Sequence, residues 1–508
     1  MRSVKRIGLV EIVPLVFALS FAGCDILFPP EAGQPAALVV PKGFEVEKVA
    51  DGLNLATSIT WDDQGNMYVA EAGGGLLSKQ RAPSRIVRVE DGQVSDVINL
   101  TEKGVFASVV GLTWHDGAFY ITHRNESDLT GAVSRVTPSG DVTELFSGII
   151  DSQSEHQIND IRMGPDGRMY VAVGPTGNAG VVDLSIAPWV MNARDVRTTP
   201  CEDIVLTGQN FQSPNFLTGD PDDMVLTGAF VPFGTETQPG QVISGTEKCG
   251  GSILAFDPAN AEATLQTYAW GFRNVIGVAW DARSGAMYAA ENGYDVRGSR
   301  PVKDELDASL RIHEGTWYGV PDFSAGREPL TEAKFESPDS LQAPVFVNGQ
   351  LVGKDLGFLI DHAASGLTPP TPDVVLGRHE FNSSPSMIDV APASWGHMAG
   401  QVFIAEWGDL APPTNPLRGM QPAGSQVVRV NPATGHVTPF VRNRRAGPAS
   451  SQGLQGEGLD RPFDVQFGPD GAMYIVDYGV VKIDMQLKPP YQYEMNTGAI
   501  WKVTRSKD

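Results

Sequence analysis

Apolar residues in this chain recur with a period of two over short runs, and the runs come in pairs. Ile59-Thr-Trp-Asp-Asp-Gln-Gly-Asn-Met-Tyr68-Val-Ala-Glu71 sets the pattern: an alternating strand, a turn with glycine, then an aromatic-led strand ending in small or polar residues. The pattern returns at Val110–Thr122, Ile158–Ala172, Ile276–Glu291, Phe463–Asp477 and, more loosely, Met387–Glu406. Gly-Pro-Asp-Gly at 164–167 and 468–471 has proline preset for a turn and glycine free to take positive φ, so each copy predicts a β-hairpin. Third strands are expected at Ile86, Val133, Ser252, Val427 and Ile500. Small β units that cannot bury their faces alone predict an all-β fold, a six-bladed β-propeller over residues 38–508. The strand beginning at Phe44 is expected to pair with the last unit and close the ring. Two long insertions interrupt the series, at about 178–250 and 323–386, and Asp355–Leu367 reads as a short helix within the second. A β-solenoid or two stacked sheets are the alternatives.

Composition agrees with many short strands: the chain of 508 residues carries 56 glycines and 37 prolines. Its formal net charge of −22 argues against nucleic acid as a partner, because phosphate binding needs a basic face. At the N-terminus, Arg2, Lys5 and Arg6 precede an apolar run from Ile7 to Phe21 that is too short and broken for a membrane span. It ends in Phe21-Ala22-Gly23-Cys24, a bacterial lipoprotein cleavage pattern that would place a lipid on Cys24. An ordinary signal peptide with a chance cysteine is the other reading. The expectation is thus a signal peptide over 1–23 and a Pro- and Ala-rich tether over 24–37. The protein would be exported and held at the envelope by its lipid alone, on the periplasmic side; Asp25 resembles an inner-membrane retention signal. Cys201 and Cys249, the two remaining cysteines of an exported chain, suggest one disulfide. No Cys-x-x-Cys-His motif for covalent haem is present.

Polar chemistry is densest between Tyr268 and Pro321. An Arg-Asn pair (Arg273, Asn274), a Gly-Tyr turn (Gly293, Tyr294) and an acidic pair (Asp304, Glu305) flank one hairpin there. Together with Glu155-His156-Gln157, Glu291-Asn-Gly-Tyr294 and Trp317-Tyr-Gly-Val-Pro321, these motifs resemble the glucose/sorbosone dehydrogenase family. Those proteins are exported six-bladed propellers that use pyrroloquinoline quinone (PQQ) and calcium.

The resemblance implies that His156 is the general base that takes a substrate hydroxyl proton while hydride passes to PQQ. Arg273 would stabilise the oxyanion developing on the quinone. Arg273, Asn274 and Arg461 would hold the cofactor. Gly293 and Tyr294 would give backbone carbonyls to Ca²⁺, with Asp304 or Glu305 supplying a carboxylate. A sugar or polyol is then the substrate, and electrons leave to a separate acceptor. The chain departs from the family at Phe106, Glu406 and Phe463, where a Gln, a Lys and an Arg are expected, and Arg429 or inserted-loop residues are candidate replacements for the missing cations. Two other readings remain: a cofactor-free lipoprotein binding a glycan or protein partner, and a calcium-dependent, lactonase-like hydrolase.

Overall fold

In the computed structural model, residues 37–74, 81–105, 108–220, 222–418, 422–487 and 490–506 are described. The expected signal peptide, lipidated Cys24, most of the tether, and Phe106 lie outside them. The described chain is all-β. Its hairpins fall where the sequence repeats, and each belongs to an antiparallel sheet, the third extended at its edge by the short parallel strand Thr316–Trp317.

Six such sheets follow in chain order. Their first strands are Ala56–Trp61, Leu112–His115, Ile158–Met163, Asn274–Trp280, Pro385–Val390 and Val465's strand, Pro462–Phe467. Each first strand lies against the next, and the sixth returns to the first. The joints are backbone-close. A Cβ on Gly111 would sit 2.7 Å from the Asn159 carbonyl oxygen, and one on Gly277 would sit 2.5 Å from Met387 Cα, so only glycine permits those approaches. Side chains complete them: Asn159 Nδ2 donates to Val275 O (2.8 Å), and Gln466 Nε2 donates to Ile59 O (2.6 Å). The strand Phe44–Leu53 pairs antiparallel with Gly498–Arg505, so the first long strand is the outer strand of the last sheet, as expected.

The repeated tyrosine has a local purpose. Tyr68, Tyr170 and Tyr474 each donate their hydroxyl to an aspartate of the preceding turn: Asp62 (3.1 Å), Asp166 (2.8 Å) and Asp470 (2.9 Å). A strand residue thereby braces the turn that precedes it, and an Asp-x-x-x-Tyr spacing in two of the copies records this in sequence. Apolar faces of adjacent sheets pack together, for example Ile161, Val171 and Leu254 with Tyr120 and Val133.

Two expectations need correction. Asp355–Leu367 forms turns, not a helix. Its amides are taken elsewhere: Asp322 accepts from Leu359 N (2.7 Å) and Ile360 N (3.0 Å), and Val205 O accepts from Asp361 N (2.8 Å). The second insertion also ends earlier than residue 386, because Val375–Arg378 is the outer strand of the fourth sheet and Pro385 opens the fifth. The insertions fold onto each other: Asn210–Pro214 of the first pairs with Val345–Val347 of the second in one four-stranded sheet. Cys201 and Cys249 form a disulfide with Cα atoms 5.0 Å apart, tying the base of the first insertion together.

Candidate functional site

A cavity of about 1180 Å³ opens where the leads into several first strands meet the two long loops after the third and fourth hairpins. His156 sits at its floor, 8% exposed, just before the strand Ile158–Met163. Its Nδ1 lies 2.9 Å from the Pro175 carbonyl. A carbonyl only accepts, so Nδ1 carries the hydrogen and Nε2 is left as the basic nitrogen. Burial holds the imidazole well below its usual pKa, and the Arg273 and Arg297 charges push the same way. The ring is therefore neutral at pH 7, as a base must be.

Arg273 and Asn274 line the same cavity. The Arg273 amide donates to Glu291 Oε1 (2.7 Å), and its Nη2 donates to Asn178 Oδ1 (3.1 Å) and Asp295 Oδ2 (2.9 Å). Beside it stands a cation that motif reading passed over. Arg297 donates to Glu155 Oε1 (2.5 Å), Asp295 Oδ2 (2.8 Å) and Ser185 Oγ (3.1 Å). Glu155, Arg297, Asp295 and Arg273 thus form one largely buried chain of alternating charge that joins the His156 lead to the loop after the Gly293 turn. The Asp295-x-Arg297 alternation directly after Tyr294 was the available signal. Asp307 and Trp407 also line the cavity, as do Trp189 and Tyr491, which no motif marked.

Of the expected calcium residues, Glu305 lies against Gly293 and Asp304 lies apart. Gly293 lines the cavity, with its amide donating to Asp307 Oδ1 (2.8 Å). The Tyr294 ring is in the core and its hydroxyl donates to Phe323 O (3.0 Å). Asp304, in a left-handed turn at φ 53°, carries its carboxylate into solvent beside Lys303. Glu305 turns inward beneath Gly293 and accepts the Ala325 amide (2.5 Å). Among the described residues, no three His, Cys, Asp or Glu side chains gather as a metal-holding group.

Arg461 does not line the cavity either. It is buried against the Trp407 ring at 4.8 Å and donates to the carbonyls of Trp407 (3.3 Å) and Asp409 (2.9 Å). Burial lowers it to about 10. Glu406 also points away: it accepts from His379 Nδ1 (2.7 Å) and Gln426 Nε2 (2.7 Å) in a closed network. Arg429 is spent on Gln401 Oε1 (2.6 Å). Of the departures from the family pattern, Phe463 alone faces the cavity among the described residues.

Burial raises Glu305 to about 8, with the neighbouring Glu291 and Asp307 charges adding to the rise. The native state therefore holds a proton that the unfolded chain loses near its ordinary pKa. This contribution to stability is complete below that pKa and is lost as pH rises through about 8. Glu305→Gln, which keeps an acceptor for Ala325, is expected to be more stable than the parent by on the order of 3 kcal/mol at pH 8.5 and to lose that advantage near pH 4. Urea titrations at the two pH values measure it, and a gain that does not depend on pH refutes the assignment.

Comparison with known proteins bears out the resemblance. Residues 235–352 match the family model described as Glucose / Sorbosone dehydrogenase, and residues 31–216 match that of a domain of unknown function, DUF7133. Arg273 to Tyr318 fall in the first match and His156 in the second. No curated protein matches the chain. Among solved structures, the holo form of the pyranose dehydrogenase PQQ domain from Coprinopsis cinerea is 15% identical, covers 93% of this chain and 98% of its own, and superposes with a TM-score of 0.52. A calcium structure of a carbohydrate-active enzyme from Trichoderma reesei is 14% identical, with coverages of 94% and 100% and a TM-score of 0.52. The PQQ-bound aldose sugar dehydrogenase of Streptomyces coelicolor is 17% identical, with coverages of 92% and 99% and a TM-score of 0.48. At these identities the likeness to the first two, with TM-scores above 0.5, is one of fold.

Proposed function

From a chain that resembles the glucose/sorbosone dehydrogenases over its densest motifs, we propose a dehydrogenase that oxidises a sugar or polyol hydroxyl with PQQ. The six sheets are then the blades of a propeller, closed by the strand Phe44–Leu53. The observation that carries the reading is the neutral His156, whose Nε2 has only Glu155 Oε1 near it, at 3.8 Å, in the same cavity as the Arg273 and Arg297 guanidinium groups.

The cavity's residues fit a planar anionic quinone. The volume exceeds the about 300–1,000 Å³ usual for small-molecule sites. Arg273 Nε and Trp407 Nε1 are buried donors, on lining residues, that have no partner among the described residues. Arg273, Asn274 and Arg297 would hold the cofactor, whose contribution when bound is to accept the hydride. The chain's own part is proton transfer and orientation. His156 Nε2 takes the hydroxyl proton, the Pro175 carbonyl keeps the ring in the required tautomer, and Asn159 and Asn292 offer polar contacts at the floor. Calcium enters the proposal only as a ligand that the Gly293 and Tyr294 carbonyls would hold, and no step runs through it.

The test is titration of the mature chain with PQQ, followed by an assay of sugar-dependent dye reduction. Uptake of about one quinone per chain with turnover is expected; no uptake at saturating PQQ sinks the proposal. Because Asp295 neutralises both arginines, Asp295→Asn should tighten PQQ binding about tenfold, equivalent to about 1.4 kcal/mol. Unchanged or weaker binding removes the arginines as carboxylate partners.

The paired state of both arginines favours one other reading, a cofactor-free cavity that binds a glycan against Trp189, Trp407 and Tyr491. Sugar binding without quinone uptake in the same titration selects it. Export, the lipid on Cys24 and electron transfer to a separate acceptor at the envelope complete the proposal.

A further inference from the structure

The cavity has two unlike parts. Its floor is polar and buried, around His156 and Arg273 at 8% and 3% exposure. Its mouth is apolar and wet. Leu184 and Met191 of the first insertion are 52% and 62% exposed, and Leu487 of the last sheet's loop is 41% exposed. Trp189 stands between the first two, with the Arg124 guanidinium 4.9 Å from its ring centre. That guanidinium is itself fixed by donation to Ser152 O (2.6 Å) and Ser154 O, so the indole is a braced wall. Large aliphatic side chains gathered around a cavity mouth and left in water mark a surface that a ligand covers.

A free monosaccharide is polar on its rim and would leave Leu184 and Met191 wet. Resting on the dehydrogenase reading above, we propose that the substrate is a glycoside carrying an apolar aglycone, an alkyl or aryl group. The sugar hydroxyl goes down to His156, and the aglycone lies against Leu184, Trp189 and Met191. Covering the mouth removes apolar surface from water on both partners, which sets the preference over the free sugar.

The test uses the mature chain with glucose, phenyl glucoside and hexyl glucoside, all as monomers in solution, read by calorimetry and by tryptophan fluorescence. Both glucosides should bind at least about tenfold more tightly than glucose. In Leu184→Ser/Met191→Ser the ratio should fall to near one, while Val352→Ser, exposed and outside the cavity lining, should keep it. Both replaced side chains are exposed, so the double variant is expected to fold, and circular dichroism checks this. Equal affinities for glucose and the glucosides overturn the inference. So does adsorption to phosphatidylcholine vesicles through Leu184 and Met191 without a glucoside preference, which would make the mouth a membrane contact. A chain that shows the preference yet reduces no dye with PQQ keeps the apolar-aglycone site as a binding site and removes the dehydrogenase reading instead.

Discussion

His156→Ala is expected to lower kcat by about 10²–10⁴-fold while quinone uptake and the circular dichroism spectrum stay those of the parent. The side chain's hydrogen bond is with the Pro175 carbonyl, and Glu155 Oε1 stands 3.8 Å from Nε2, so its removal costs little structure, and its role is carried by Nε2. The pH profile adds a signature. Because burial and the Arg273 and Arg297 charges lower the imidazole pKa, the base stays unprotonated below the ordinary histidine value, and the acid limb of kcat/KM should lie below pH 6.5. Arg297→Gln removes one of those charges and should move that limb upward. The same shift enters stability with a definite sign. The unfolded chain takes up the proton first, so stability is full above pH 6.5 and falls as pH drops toward the lowered folded value. Unchanged turnover in His156→Ala would remove the residue from the mechanism, whatever the cofactor.

Arg327→Leu is expected to destabilise the fold by about 3–5 kcal/mol, measured by urea unfolding. Arg327 and Glu291 are both fully buried, and Arg327 Nη2 donates to Glu291 Oε2 at 2.6 Å. Without the guanidinium, Glu291 becomes a buried carboxylate with no cationic partner at that oxygen. Glu291 cannot turn outward to escape, since its other oxygen accepts the Arg273 amide. Loss of the pair should therefore also loosen Arg273 and weaken quinone binding. Adding Glu291→Gln removes the charge but keeps the acceptor, and should recover most of the stability. A single variant costing under about 1 kcal/mol, or a double variant no better than the single, would show that the pair does not hold the site.

The inner hairpins were legible because their determinants are local. A Gly-Pro-Asp-Gly turn, period-two alternation and a tyrosine that bonds back to the turn aspartate all lie within one short segment, and the segment recurs. Closure by Phe44–Leu53 was legible too, because six repeats with a spare strand in front leave few places for it. The candidate site was half legible. Arg273, Asn274, Gly293 and His156 were marked by motif and do share a cavity. Where motif-marked residues point was not legible, because a motif records residue type and not direction. Arg461 has the expected type but lies under Trp407, and Asp304 faces solvent. Arg297, with no motif to mark it, is the second cation of the cavity.

By itself, the sequence determined the strand pairs, their turns and the residues that precede each inner strand, since these follow from alternation and turn chemistry over a few neighbours. Tertiary structure alone decided what those residues face. Asn210–Pro214 finds Val345–Val347 more than a hundred positions away, and the amides of a would-be helix at 355–367 go to Asp322 instead. The alternating chain Glu155–Arg297–Asp295–Arg273 is assembled from three separate segments. Charge pairing and burial act through space between separate sheets and loops, and a one-dimensional pattern carries no measure of that distance.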